Sequence, residues 1–142
     1  MEAANEISTV GVSPLRLNIL RAYYALMAVG TTAIFWPSLI QHSAEWGIEN
    51  GAQYSLLAAL TPFAFLGLRY PLKMLPIILY EFTWKAFWLI FVVAPVYHAD
   101  RMTDLVWSNV FACSIAIVLT PIIMPWRYFW QNYVRDKSDG WR

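Results

Sequence analysis

Two residues of opposite charge, Glu81 and Lys85, stand inside an otherwise apolar stretch of this 142-residue chain. Their spacing of four puts both side chains on one face of a helix, with the acid N-terminal to the base, the favourable order. Helix side chains lean towards the N-terminus, so Lys85 leans back towards Glu81. A carboxylate and an ammonium held together in this way admit three kinds of chemistry. They can neutralise each other and lock a helix against its neighbours. They can bind or pass on a proton, an ion or a small lipophilic ligand, with Trp84, Trp88 and Asn109 as the neighbouring groups. They can also pair with a partner protein. Ionisable groups within a membrane span are functional candidates by default, although a self-contained pair weakens that default.

The other reactive side chains offer less. The chain has a single cysteine, Cys113, so no intrachain disulfide forms. Its setting in an apolar run reads as a small buried residue. His42 and His98 fall in connecting segments and have no clustered partners, so no metal site is expected. No nucleophile–base pair, HExxH, phosphate-binding glycine loop or CxxC occurs, so no cofactor is expected. Glu81 could act as an acid or base in an intramembrane enzyme, but no second catalytic group accompanies it. No basic face suggests nucleic-acid binding. Ser108 and Asn109 can hydrogen-bond across helices. Gly30, Thr31 and Thr32 would permit close helix approach midway along the first apolar run.

The elements that must position Glu81 and Lys85 follow from composition. Hydrophobic residues make up 59% of the chain and charged residues 13%, with a mean hydropathy of +0.47 and a formal net charge of +1. Soluble domains carry about 25% charged residues. Here the few charges lie between long apolar runs, the pattern of membrane insertion. Runs at about 18–40, 53–70, 72–97 and 105–125 each come close to the ~20 helical residues that cross a ~30 Å hydrocarbon core. Backbone groups in lipid must bond internally, so each run is expected to be a helix. Short connections make successive helices antiparallel. The expected fold is therefore all-α, a single four-helix up-down bundle spanning the membrane, followed by an interfacial tail at 126–142. The N-terminal residues, with Glu2 and Glu6 and no early lysine or arginine, do not resemble a secretory signal.

Orientation comes from the basic residues. Arg16, Arg21, Arg69, Lys73, Arg127, Arg135, Lys137 and Arg142 all fall on one side of a four-span arrangement. The other side has Arg101 with Glu45, Glu49, Asp100 and Asp104. The positive-inside rule then puts both termini in the cytoplasm, with Arg21, Arg69, Lys73 and Arg127 at the cytoplasmic interface. An odd number of spans would scatter this partition. Tyr23, Tyr24, Trp36, Trp46, Tyr70, Tyr97, Trp107 and Trp126 fall near helix ends, as an interfacial aromatic belt requires. The tail mixes Trp126, Tyr128, Trp130 and Tyr133 with Arg127, Arg135 and Lys137, and reads as an extension lying on anionic lipid, with partner recruitment as the alternative.

The helix containing the pair has little apolar surplus. Two ionisable residues near its centre cost about 5–7 kcal/mol on the insertion scale. The twelve Leu, Ile, Val and Phe residues between Leu75 and Val96 contribute about 4–7 kcal/mol in the other direction. The near balance predicts that Glu81 and Lys85 face the bundle interior rather than bare lipid. An internal duplication is also suggested: Leu60-Thr61-Pro62 before Arg69-Tyr70 is echoed by Leu119-Thr120-Pro121 before Arg127-Tyr128, and Pro37 by Pro95. Chance is a strong competitor for so short a pattern.

The run Arg69-Tyr70-Pro71-Leu72-Lys73-Met74-Leu75-Pro76, followed by Glu81-Phe82-Thr83-Trp84-Lys85, resembles an uncharacterised family of small bacterial four-helix inner-membrane proteins. Pro125-Trp126-Arg127-Tyr128 and the closing Trp141-Arg142 look like the same family. The likeness spans nearly the whole chain, and its layout is loosely similar to that of DoxX-like proteins. The resemblance implies a bacterial inner membrane and assigns no activity. The expected role is a non-catalytic accessory or scaffold subunit in contact with the lipid bilayer and with other membrane proteins or further copies of itself. Binding or transport of a small lipophilic or protonatable ligand at Glu81 and Lys85 is the alternative.

Overall fold

The computed structural model describes residues 11–42 and 48–136. Glu2, Glu6, Glu45, Trp46, Lys137, Trp141 and Arg142, used above for charge, belt or resemblance, lie outside the described residues. The described chain is helical, with no strand among the described residues. Helices α1 (Pro14–His42), α2 (Ile48–Ala58), α3 (Leu60–Arg69) and α4 (Leu75–Phe87) are followed by a π-helical segment, Trp88–Val93. Then come α5 (Ala94–His98), α6 (Asp104–Ile123), α7 (Trp126–Phe129) and a second π-helical segment, Trp130–Arg135. Among the described residues, four stretches are long and apolar enough to cross a membrane: Pro14–Gln41, Gly51–Arg69, Leu75–His98 and Asp104–Ile123.

Prolines and caps explain why the boundaries fall where they do. α1 starts four residues before the apolar run at 18, because Ser13 and Pro14 form a start signal. The Ser13 hydroxyl accepts from the Arg16 amide at 3.3 Å, and proline suits the first helical position. α1 is 29 residues long, about 43 Å, which exceeds a ~30 Å core. The second span breaks between α2 and α3 at Ala59. Pro62 has no amide proton, and its ring crowds the carbonyl one turn earlier, so the break falls just upstream of it. In the third span the widened π turn precedes Pro95. The Ala94 amide donates to Leu89 O, five residues back, and relieves the crowding that Pro95 would impose on a regular turn.

The turn after α5 closes with Asp100 at φ 52°. The Arg101 amide donates to Val96 O and the Asp100 amide to Tyr97 O, the paired bonds of a left-handed helix cap. Aspartate tolerates that backbone better than most residues. Thr103 then caps α6 by accepting from the Val106 amide at 3.3 Å, with Asp104 in the first turn.

Contacts divide the chain into two compact units, Pro76–Met124 and the remainder, which comprises the residues up to Leu75 and from Pro125 onwards. In the larger unit, Tyr24 meets Gly67, Thr31 meets Thr61, and Phe35 meets Tyr54. Residue number rises on one helix as it falls on the other, so α1 runs antiparallel to α2 and α3. In the second unit, Tyr97 packs edge-on to Trp107 with ring centroids 6.2 Å apart. Cys113 comes within electrostatic reach of Lys85 and Glu81, so this unit is an antiparallel hairpin too.

Among the described glycines, Gly67 is closely packed and Gly30 is not. A methyl group on Gly67 would overlap the Tyr24 ring, whereas one on Gly30 meets nothing within 4 Å. Of the Gly30-Thr31-Thr32 stretch expected to allow close approach, Thr31 meets the facing helix and Gly30 has open space beside it. Tyr24 is fully buried, and its hydroxyl donates to Pro71 O at 3.2 Å. The aromatic belt residue of the sequence reading is thus a core residue with a polar tip.

The described part of the tail, Trp126–Phe129 and Trp130–Arg135, is helical and belongs to the larger unit. The Tyr133 hydroxyl lies 2.8 Å from Leu72 O and 3.1 Å from Lys73 O and donates its proton between them. Phe129 stacks on the Tyr133 ring at 5.0 Å. Burial raises the pKa of Tyr133 above the ordinary 10.0, with Tyr128 adding to the effect. A phenol with a raised pKa favours the docked tail up to its ordinary pKa. Docking should therefore persist at neutral pH and weaken as pH climbs above about 10. Tyr133→Phe should loosen the tail at neutral pH, so that trypsin cuts after Arg127 and Arg135 roughly twofold faster, the effect of one exposed hydrogen bond.

Candidate functional site

The charge pair is formed as its spacing requires. Lys85 Nζ donates to Glu81 Oε2 across one turn of α4. Glu81 is 3% exposed, and the Lys85 side chain is 17% exposed, so the pair is largely withdrawn from its surroundings. Lys85 Nζ also lies 5.0 Å from the centroid of the Trp84 ring, within cation–π range. The ammonium is held by a carboxylate and an indole face, all from a single helix. Thr83, next to this group, turns its hydroxyl back to Leu79 O at 2.7 Å.

Of the expected neighbours, Trp84 lies against Lys85. Trp84 is half-buried, and its Nε1 is buried with no hydrogen-bond partner. Trp88 is half-buried and opens the π-helical segment one turn on. Asn109 is exposed on α6, as is Ser108. Cys113 of α6, which is buried, lies within electrostatic reach of Glu81 and Lys85. In an antiparallel hairpin the facing residue depends on turn length and helix phase, which spacing in one helix does not supply. Chemically, the pair carries no net charge, so it has little attraction for an ion. Its open valence is the Trp84 N–H, a donor that suits a carbonyl or ether oxygen. Among the described residues, no group of three or more His, Cys, Asp or Glu converges to hold a metal ion.

A second polar cluster lies between α1 and α3 and was not anticipated as a unit. Trp36 Nε1 donates to Thr61 Oγ1 at 3.1 Å, and Thr61 donates to Thr31 Oγ1 at 2.8 Å. Thr31 donates in turn to Met27 O at 2.8 Å. Each hydroxyl accepts one bond and gives one, so the chain of bonds is satisfied from end to end. Thr32 only bonds back to its own helix, to Ala28 O at 2.6 Å. The available signal was the Leu60-Thr61-Pro62 repeat. Its echo, Thr120 in the second hairpin, is also buried.

The expected interface residues are exposed. Arg21 donates to Asn18 Oδ1 at 3.2 Å. Arg69 and Lys73 lie over the Tyr70 ring at 5.3 and 5.6 Å from its centroid, which gathers two cations on one aromatic between α3 and α4. Arg127 stands on α7 between Trp126 and Tyr128 and faces an open groove of the tail. Set against protein-family models, curated proteins and solved structures, the chain has no match in any of the three.

Proposed function

We propose that this chain is a non-catalytic accessory or scaffold subunit of a larger assembly in a bacterial inner membrane. In this reading it crosses the bilayer four times as an up-down bundle with both termini in the cytoplasm. The distribution of Lys and Arg and the resemblance to small bacterial inner-membrane proteins support the placement. The observation that favours a partner is the exposure of Asn109 on α6. It stands amid exposed Leu105, Trp107 and Phe111, five residues into the span and so ~7.5 Å from its start. A bare carboxamide in hydrocarbon is costly, and its side chain is too short to reach the interface. A polar group from another helix satisfies it. The test is extraction in mild detergent, followed by identification of co-purifying proteins. Larger membrane proteins should accompany the chain and be lost with Asn109→Leu. Isolation of the chain alone, without partners, sinks the reading.

A second reading draws on the unpartnered Trp84 Nε1 beside Lys85. There the pair and Trp84 hold a small lipophilic molecule that presents an oxygen acceptor. Lipids and lipophiles retained by the purified chain should then change when Glu81→Leu and Lys85→Met are combined. An unchanged profile eliminates this alternative.

A further inference from the structure

The geometry of the tail describes a more specific surface than an extension lying on anionic lipid. Trp126, Arg127, Phe129, Trp130, Gln131 and Arg135 line an open groove of about 610 Å³. Trp126 and Trp130 are about half exposed, and Arg127 and Arg135 are exposed. Two guanidiniums therefore share one groove with two indoles and a phenylalanine ring. The groove is held in place: Tyr133, one turn on from Phe129 and stacked on it, is bonded to the carbonyls of Leu72 and Lys73. That anchoring segment has cations of its own, Arg69 and Lys73 on the Tyr70 ring. The described tail from Trp126 has one carboxylate, Asp136, against Arg127 and Arg135.

We propose that this groove is a binding site for the headgroup of an anionic phospholipid. Arg127 and Arg135 hold the phosphate, guanidinium being the side chain suited to bidentate phosphate contact. Trp126 and Trp130 cover the glycerol and the first methylenes of the acyl chains, the depth at which indoles rest in a bilayer. Arg69 and Lys73 add to the positive potential through the docked segment. The argument for a lipid over a free phosphate is the lining. A soluble anion would gain from the arginines and nothing from three aromatic rings, whereas a phospholipid engages both. The site lies outside the membrane-spanning helices and is independent of the Glu81–Lys85 pair and of any partner at Asn109, so its failure would leave the proposed function standing.

The test uses the full chain in phosphatidylcholine nanodiscs doped with a small share of lipid brominated high on the acyl chain. Tryptophan quenching by brominated phosphatidylglycerol is compared with quenching by brominated phosphatidylcholine. The anionic lipid should be enriched at the tail roughly thirtyfold, the scale on which two surface cations act on anionic lipid. The excess quenching should vanish in R127Q/R135Q. It should vanish also in W126F/W130F, which removes the reporters while leaving the cations. Helix content by circular dichroism checks that both variants fold. Equal quenching by the two lipids overturns the proposal, as does an excess that survives R127Q/R135Q. Loss of the excess on adding inorganic phosphate, at matched ionic strength, would show a free-anion site and overturn the lipid assignment.

Discussion

Glu81→Leu should destabilise the chain by about 3–5 kcal/mol, because it leaves the Lys85 ammonium largely buried without its counter-charge. Lys85→Met should cost a similar amount by stranding the carboxylate, and Glu81 is the more deeply buried of the two. The combined Glu81→Leu/Lys85→Met variant should be close to wild type or more stable, since two apolar side chains of similar volume need no desolvation. Lysine has a softer failure than glutamate: it can lose its proton or reach along its flexible stem, and it retains the Trp84 ring. The single change at Glu81 therefore falls towards the lower end of the range. Equilibrium unfolding of the purified chain in mixed micelles reads all three variants. If the double variant is as unstable as the sum of the singles, the two residues are not a pair, and their charges are engaged elsewhere.

The second large effect is expected at Gly67. Any side chain there collides with the Tyr24 ring, which is fully buried and tethered through its hydroxyl to Pro71 O. The colliding atoms belong to the body of the ring rather than to a mobile tip, so the helices themselves must part. Gly67→Ala should cost about 1–3 kcal/mol as an overpacked contact, and Gly67→Leu more. Gly30→Ala should be harmless or mildly stabilising, because nothing stands within 4 Å and alanine favours the helix. A double-mutant cycle isolates the cause. Placing Gly67→Ala in a Tyr24→Leu background removes the ring, so the alanine should then cost little, with a coupling of about 0.5–3 kcal/mol. Additive losses would mean that α1 and α3 do not meet at this point.

Much of this was legible along the chain. Four apolar runs of spanning length, separated by charged and proline-bearing connections, correspond to the four stretches that are helical in the structure. The Glu81–Lys85 contact was legible for the same reason: it lies within one helix, where a spacing of four settles which side chains meet. Helix limits were less so. α1 begins at Pro14 because a serine hydroxyl and a proline ring start it, and apolarity is blind to both. The breaks at Ala59 and in Trp88–Val93 follow from Pro62 and Pro95, whose presence was visible but whose local response was not.

What the chain determined unaided is what depends on near neighbours: apolar length, helical spacing, and the grouping of basic residues at the ends of spans. Which residues meet across helices was left to tertiary structure. Gly67 rather than Gly30 receives a neighbour, Thr61 links Trp36 to Thr31, Cys113 approaches the charge pair, and the tail folds back through Tyr133. The physical reason is common to all four. Along one helix the geometry repeats every 3.6 residues and can be counted. Between helices, contact depends on rotation, offset and the length of the turn, and a change of one residue in any of these brings a different side chain to the seam.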